Sequence, residues 1–308
     1  MKKYPILTLL LITIFSTNAL SQFFDTREKL IYYTSEWEGV RAEDGRPLVA
    51  DDILERFKNV SIEEAWGVLR SKGYHNQFEG NWVTIHEEIP VVGRALTAQY
   101  MPKRPEIMDR FTEKGHQEGR VGAMNSWPID ALEMGDVYVA DGFGKVVDGT
   151  LIGDNLGNAI YANSGNGVVF NAGSRDLEGL AEIEGFNAFV RGFDPSYLTE
   201  SMLMGINVPI RIGRATVFPG DVVLAKSTGV LFIPAHLAAE VVDRAEFIML
   251  RDMFGHSMLK QGVYTPGQID GRWSEEIKAA FLEWVSANPE GLPMSRKDLD
   301  DYLKDRTW

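Results

Sequence analysis

There is no cysteine in the 308 residues. That absence removes disulfides, thiolate metal ligands and a cysteine nucleophile together, and leaves oxygen and histidine as the donors for any metal. Positive charge is scarce as well: 31 Lys and Arg stand against 44 Asp and Glu, a formal net charge of −13. Such a balance repels phosphate backbones, so nucleic acid is not an expected partner. Long apolar runs are lacking except at residues 6–15 of the opening "MKKYPILTLLLITIFSTNALSQ", and that run is about half of the roughly 20 residues a spanning helix needs. Lys2 and Lys3 before it, with Ala19 and Ser21 after it at signal-peptidase spacing, give residues 1–21 the form of a secretory signal. The expected mature protein is exported, periplasmic or secreted, with no stable membrane insertion after cleavage. Losing the two lysines takes the formal charge from −13 to −15.

Several familiar chemistries are missing too. The glycine-rich "DGFGKVVDG" and "NSGNG" have neither dinucleotide-fingerprint spacing nor a Gly-Lys-Ser/Thr ending, and read as turns. His75, His86, His116, His236 and His256 show no paired metal spacing and read as structural. Ser164 and Ser174 lack the nucleophile-elbow pattern of serine hydrolases. The small basic "MPKRPE" reads as a solvated turn.

What is present falls into three parts after the signal, with no internal repeat. Residues 22–88 are charged and helical. In "VSIEEAWGVLRSKGY", Ser61 and Glu64 have capping-box spacing, and Trp66 belongs to the core. Residues 89–245 alternate short apolar runs with Gly, Asn and Asp turns. Candidate strands are "VVGRALTAQY", "DVYVADG", "GVVFNAG", "NAFVRG", "VPIRIGRATV" and "DVVLAKSTGVLFIP", with helices in "GTLIGDNLGNAIYANSG" and "LEGLAEIEG". Several strands are apolar without alternation, which fits burial on both faces, and the pattern is α/β with some antiparallel pairing. Residues 246–308 return to helix, with Ser274 as a cap and Ile277, Phe281, Leu282 and Val285 on one face.

The stretch 153–176, "GDNLGNAIYANSGNGVVFNAGSRD", is glycine-rich and charged only at Asp154, Arg175 and Asp176. If "DVYVADG" and "GVVFNAG" are parallel strands joined by the intervening helix, Asp154 and Arg175-Asp176 reach the same sheet edge. The helix start at Gly153, Asp154, Asn155 and Leu156 offers free N–H groups to a carboxylate. Arg175 can grip a carboxylate or a developing enolate oxygen, Asp176 is a hard ligand suited to Mg²⁺ or Mn²⁺, and Asp154 can orient a water as base. The bland alternative is a surface ion pair and an ordinary helix cap.

Three stretches together resemble the RraA-like family, which takes in regulators of ribonuclease activity and class II pyruvate aldolases. They are "VVGRALTAQY" with its Gly-x-Ala-x-Thr pattern, Asp154 followed by twenty residues and then Arg175-Asp176 and "LEGL", and "INVPIRIGRATVFPGDVVLAKSTGVLFIPAHLAAEVV". The resemblance covers roughly half of the chain. It implies a three-layer α/β/α sandwich assembling as a homotrimer or hexamer; the helical extensions read at both ends fall outside the resemblance. By the same resemblance Asp176 binds the divalent metal and Arg175 contacts substrate and steadies the enolate. Asp154 handles the proton, and the backbone of Gly153, Asp154, Asn155 and Leu156 holds the carboxylate of a small 2-keto acid. The activity implied is a metal-dependent carbon–carbon lyase of the aldolase or oxaloacetate decarboxylase type; the alternative is a non-catalytic exported binding or regulatory protein. Lys226 departs from the family pattern, either adding positive charge near the site or facing solvent, and Glu63 and Glu64 are the guessed acidic residues for a neighbouring subunit's site.

Overall fold

The computed structural model describes residues 25–304, and residues 1–21, read as an export signal, lie outside them. Among the described residues no helix is long and apolar enough to cross a membrane.

Helices α1 (Arg27–Tyr33), α2 (Asp51–Phe57) and α3 (Ile62–Ser71) come first. α3 starts where the capping pattern places it: Ser61 Oγ accepts the Glu64 N–H at 3.3 Å, and Ile62, Ala65, Val68 and Leu69 form the buried face. Two short strands follow, β1 (Phe78–Glu79) and β2 (Val83–Thr84), so the segment before residue 89 also contributes to the sheet. The central run is β3 (Val91–Pro102), α4 (Pro105–Gln117), β4 (Asp136–Asp141), α5 (Asp154–Ser164), β5 (Val168–Asn171), β6 (Gly173–Ser174), α6 (Leu177–Ala181), β7 (Ala188–Val190), β8 (Gly192–Phe193) and β9 (Ser201–Ile206). Strands β10 (Ile210–Ile212), β11 (Ala215–Val217), β12 (Val222–Lys226) and β13 (Gly229–Ile233) complete it.

The main sheet has the order β1-β13-β12-β3-β4-β5-β7-β2, with β9 also paired to β3. Its centre, β3-β4-β5-β7, is parallel. Side chains alternate between faces, so Val92, Leu96 and Ala98 of β3 point one way and Val91 and Ala95 the other. The first face packs on Ile160 of α5 and Leu180 of α6, and farther along on Leu54, Val68 and Leu69 of α2 and α3. The second face, including Val139, Val169, Phe189 and Phe232, meets Ile210, Ile212, Ala215 and Val217, and no helical residue belongs to that cluster.

The α/β class and the helical C-terminal extension therefore agree with the sequence reading, and the sandwich is refined in one respect. One outer layer is helical and the other is the β10–β11 hairpin. "VPIRIGRATV" is two strands rather than one: Gly213, at φ +58°, turns the chain so that Ile212 pairs with Ala215. Arg211 and Thr216 then face out while their neighbours are buried.

Other elements differ from the sequence reading for local reasons. "MPKRPE" is not a mere turn, because Pro105 occupies the first position of α4, where its fixed φ and missing N–H favour a helix start. β9, "SMLMGI", carries a single β-branched residue and no strand signal. In the Gly-x-Ala-x-Thr pattern, a Cβ at Gly93 would collide with Gly135 O, and Thr97 Oγ1 donates to Val208 O at 2.6 Å. That motif builds the sheet.

The C-terminal part is α7 (Ala238–Lys260), α8 (Pro266–Ile269), α9 (Glu275–Ala287) and α10 (Arg296–Lys304). α7 runs through residue 245. Its first half buries Val241, Val242 and Ala245 with α2 and α3, and its second half places Phe254 in a separate cluster with Trp273, Phe281 and Val285. Ser274 caps α9 by accepting the Ile277 N–H at 3.3 Å.

Candidate active site

β4, α5 and β5 form the parallel strand-helix-strand unit, which carries the helix start and the second strand's end to one edge. There the chain before α5 runs beside the chain after β5. Leu151 N–H donates to Gly173 O, and both Arg175 N–H and Ser174 Oγ donate to Ile152 O, all at 3.0 Å. Gly153, Asp154, Asn155 and Leu156 are thus brought next to Arg175 and Asp176.

Glycines make this closeness possible. A Cβ on Gly153 would collide with Asp176 Oδ2 and crowd the Arg175 guanidinium carbon, and one on Gly179 would lie 2.8 Å from Asp154 Cβ. Gly153 is the cap of α5, and Asp154 Oδ1 accepts the Asn155 N–H at 2.7 Å. The N–H groups of Asp154 and Leu156 have no acceptor within the helix, and the helix dipole adds partial positive charge there. Together they make a small anion-seeking floor.

Arg175 Nη1 donates to Asp176 Oδ2 at 2.6 Å, with the two side chains 31% and 33% exposed. Asp176 sits in the left-handed region at φ 56°, ψ 45°, which is uncommon for a residue with a side chain and persists where surroundings hold it. They do so here: its carbonyl accepts the Leu180 N–H at 2.9 Å as α6 begins. The Arg175 guanidinium also lies over the Tyr197 ring, 5.0 Å from its centroid.

Any fit to a hard divalent cation rests on one carboxylate, that of Asp176. Among the described residues no group of three or more His, Asp or Glu is placed to hold a metal. Asp176 is partly exposed and hydrogen-bonded through one oxygen, so it fits an ion that binds one carboxylate and keeps its waters, the manner of Mg²⁺.

Other sequence candidates lie elsewhere. Lys226 ends β12 beside the start of β3, on the opposite sheet edge, and donates to Val60 O at 2.6 Å. It neither joins Arg175 nor faces freely into solvent. Burial lowers its pKa, against the pull of Glu64 and Glu63, and burial also raises that of Glu64. In this chain Glu63 and Glu64 accordingly stand by Lys226, away from Asp176. His236 lies 3.4 Å from Tyr74 OH and its pKa is lowered by burial, and His116 packs against Trp127, both structural roles. A groove of about 720 Å³ at the C-terminal extension contains Arg56, held by Asp243 and Glu246. Its cation is already paired.

Sequence reading missed two neighbours of the edge. One is Tyr197, in a loop without a motif. The other is a polar row at the ends of the parallel strands: Gln99 and Asn171 donate to Asp141, and Arg191 donates to Asn171 Oδ1 at 2.9 Å and to Glu79 Oε1 at 3.0 Å. Asp141, Asn171 and Arg191 recur at the ends of three adjacent parallel strands, the one signal that could have found them.

Comparison with known proteins bears on this geometry. The RraA-like family model, described as Aldolase/RraA, matches residues 46–232. "Protein DlpA" of Legionella pneumophila is 25% identical over 205 residues, covering 65% of this chain and only 30% of DlpA. A protein of Photobacterium profundum named "Putative 4-hydroxy-4-methyl-2-oxoglutarate aldolase" is 28% identical over 147 residues, 45% of this chain and 88% of its own. The crystal structure of Streptomyces coelicolor RraAS2, described as an unusual member of the RNase ES inhibitor RraA protein family, superposes with a TM-score of 0.59. It is 24% identical and the match covers 68% of this chain and 99% of that one, a likeness of fold. Since the family model takes in more than half of the sequence, the chain belongs to the RraA-like family.

Proposed function

We propose that this protein is a divalent-metal-dependent carbon–carbon lyase that cleaves a small 2-keto acid and releases pyruvate through its enolate. The observation that carries this reading is the meeting of Arg175 and Asp176 with the start of α5 across Gly153, where no side chain intervenes. The name of the Photobacterium relative points the same way.

In this reading the N–H groups at the start of α5 hold the substrate carboxylate. Arg175, turned toward the keto oxygen, stabilises the negative charge that grows there. Asp154 holds the water that takes the proton from the substrate hydroxyl as the carbon–carbon bond breaks. The bonding electrons pass to the keto group, and the proton returned to the enolate carbon gives pyruvate; oxaloacetate has no hydroxyl to deprotonate, loses its distal carboxylate as CO₂, and its enolate takes a proton from water. Asp176 would hold the divalent ion, Mg²⁺ or Mn²⁺, which supplies Lewis-acid polarisation of the keto oxygen. The polypeptide's share is orientation and charge.

We further propose export of the mature chain and assembly as a homotrimer or hexamer. The test is pyruvate release from oxaloacetate and from 4-hydroxy-4-methyl-2-oxoglutarate, with Mg²⁺ and with EDTA. Metal-dependent release supports the lyase. A folded, metal-supplied protein silent on both substrates would favour a binding or regulatory protein, the role that the RraAS2 description assigns to that relative's family.

A further inference from the structure

We propose that Tyr197 is a positioning residue of the same site: its ring holds the Arg175 guanidinium against the Gly153 floor in the orientation that receives the substrate's oxygens. This rests on the lyase reading of that site.

Two contacts hold the guanidinium, and the missing side chain of Gly153 leaves the room it occupies. Asp176 Oδ2 accepts from Nη1 at 2.6 Å, the Tyr197 ring centroid lies 5.0 Å from the guanidinium carbon, and that carbon would be 2.9 Å from a Cβ on Gly153. A cation over an aromatic face is attracted by the ring quadrupole. An arginine so held has lost much of its rotamer freedom before ligand arrives, which lowers the ordering cost of binding.

The loop that carries Tyr197 is tied to both arms of the site. On one side Asp194 N–H donates to Ser174 O at 3.0 Å, next to Arg175. On the other, Asp148 N–H donates to Ser196 Oγ at 2.6 Å, Thr150 Oγ1 donates to Ser196 O, and the Thr199 and Glu200 N–H groups donate to Asp148 O at 3.0 Å. Within the loop, Ser196 N–H donates to Asp194 Oδ1 at 2.9 Å. These bonds fix the backbone on each side of residue 197, yet Tyr197 itself is 66% exposed. A large ring left outside the core and carried by a backbone stitched at both ends contributes little to folding. Among the described residues its ring lies under the guanidinium of the arginine that the site uses.

The experiment measures binding of oxalate, a planar mimic of the pyruvate enolate, by calorimetry with Mg²⁺ present, in parallel with pyruvate release. Tyr197→Phe keeps the ring and should bind oxalate as the wild type does. Tyr197→Leu should weaken oxalate binding about fivefold, the scale of an exposed cation–π contact, with an unchanged melting temperature. The same change in an Arg175→Met background should have no further effect. Unchanged oxalate binding in Tyr197→Leu, or an equal loss with and without Arg175, overturns the positioning role while leaving the lyase reading intact. Wild-type protein that binds no oxalate and releases no pyruvate overturns both.

Discussion

Two edges of one sheet carry charge in opposite ways. At the start of β4, Asp136 is 1% exposed and Arg46 2% exposed, and they are joined by an Arg46 Nη1 to Asp136 Oδ2 bond of 3.0 Å. Arg46 also donates to Asp44, and Arg94 donates to Val49 O, Asp51 and Met134 O. At the far end of the same strands, Arg175 and Asp176 hold each other, about a third exposed, above a glycine floor. Buried charge must be paired and hydrogen-bonded to be tolerated, so the first edge is committed to the fold. The second edge keeps its donors and acceptors within reach of a ligand.

Breaking the first edge should give the largest effect on stability. Arg46→Met leaves Asp136 buried without its partner and should cost about 3–5 kcal/mol in denaturant unfolding, whereas Arg46→Met with Asp136→Leu should recover much of that loss. A result under about 1 kcal/mol for the single variant would erase the contrast between the edges.

At the second edge, Gly153→Ala should act on activity more than on stability. Its methyl group has to displace Asp176 or Arg175, so metal-dependent pyruvate release should fall by about tenfold or more, a loss of roughly 1.4 kcal/mol in transition-state binding. The helix cap should lose only about 1 kcal/mol. Retention of full activity would mean that the close approach at Gly153 is not used.

A third variant asks whether buried carboxyls belong to the fold through pH. Burial raises the Asp221 pKa to about 8, against the opposing pull of the Phe218 and Ala235 backbone N–H groups. Between the ordinary carboxylate range and pH 8 the folded chain then binds a proton that the unfolded chain has released. Stability should therefore fall as pH rises from about 4 to about 8. Asp221→Asn should flatten that decline in a series of melting temperatures. An unaltered slope would remove Asp221 as its source.

A small stability effect is expected at Arg175 itself. Its partly exposed ion pair is worth at most about 1 kcal/mol, so Arg175→Met should unfold nearly as the wild type does while losing turnover.

These contrasts also mark what could be read from sequence. β4, α5 and β5 were legible because apolar runs flank a helix with turn residues at both ends, and their parallel pairing predicts where Asp154, Arg175 and Asp176 meet. The Arg46–Asp136 pair was not, since 90 residues separate its members and neither belongs to a local pattern. The β10–β11 layer was hidden by the short Gly213-Arg214 turn inside an apparently continuous run. Tyr197 stood outside every motif, and only the hydrogen bonds on either side of its loop bring it to Arg175.

The most direct test of the lyase site is Asp176→Asn, measured for unfolding free energy and for Mg²⁺-dependent pyruvate release on the same sample. Wild-type stability is expected, with release reduced to the EDTA background. Release at the wild-type rate would contradict the lyase reading.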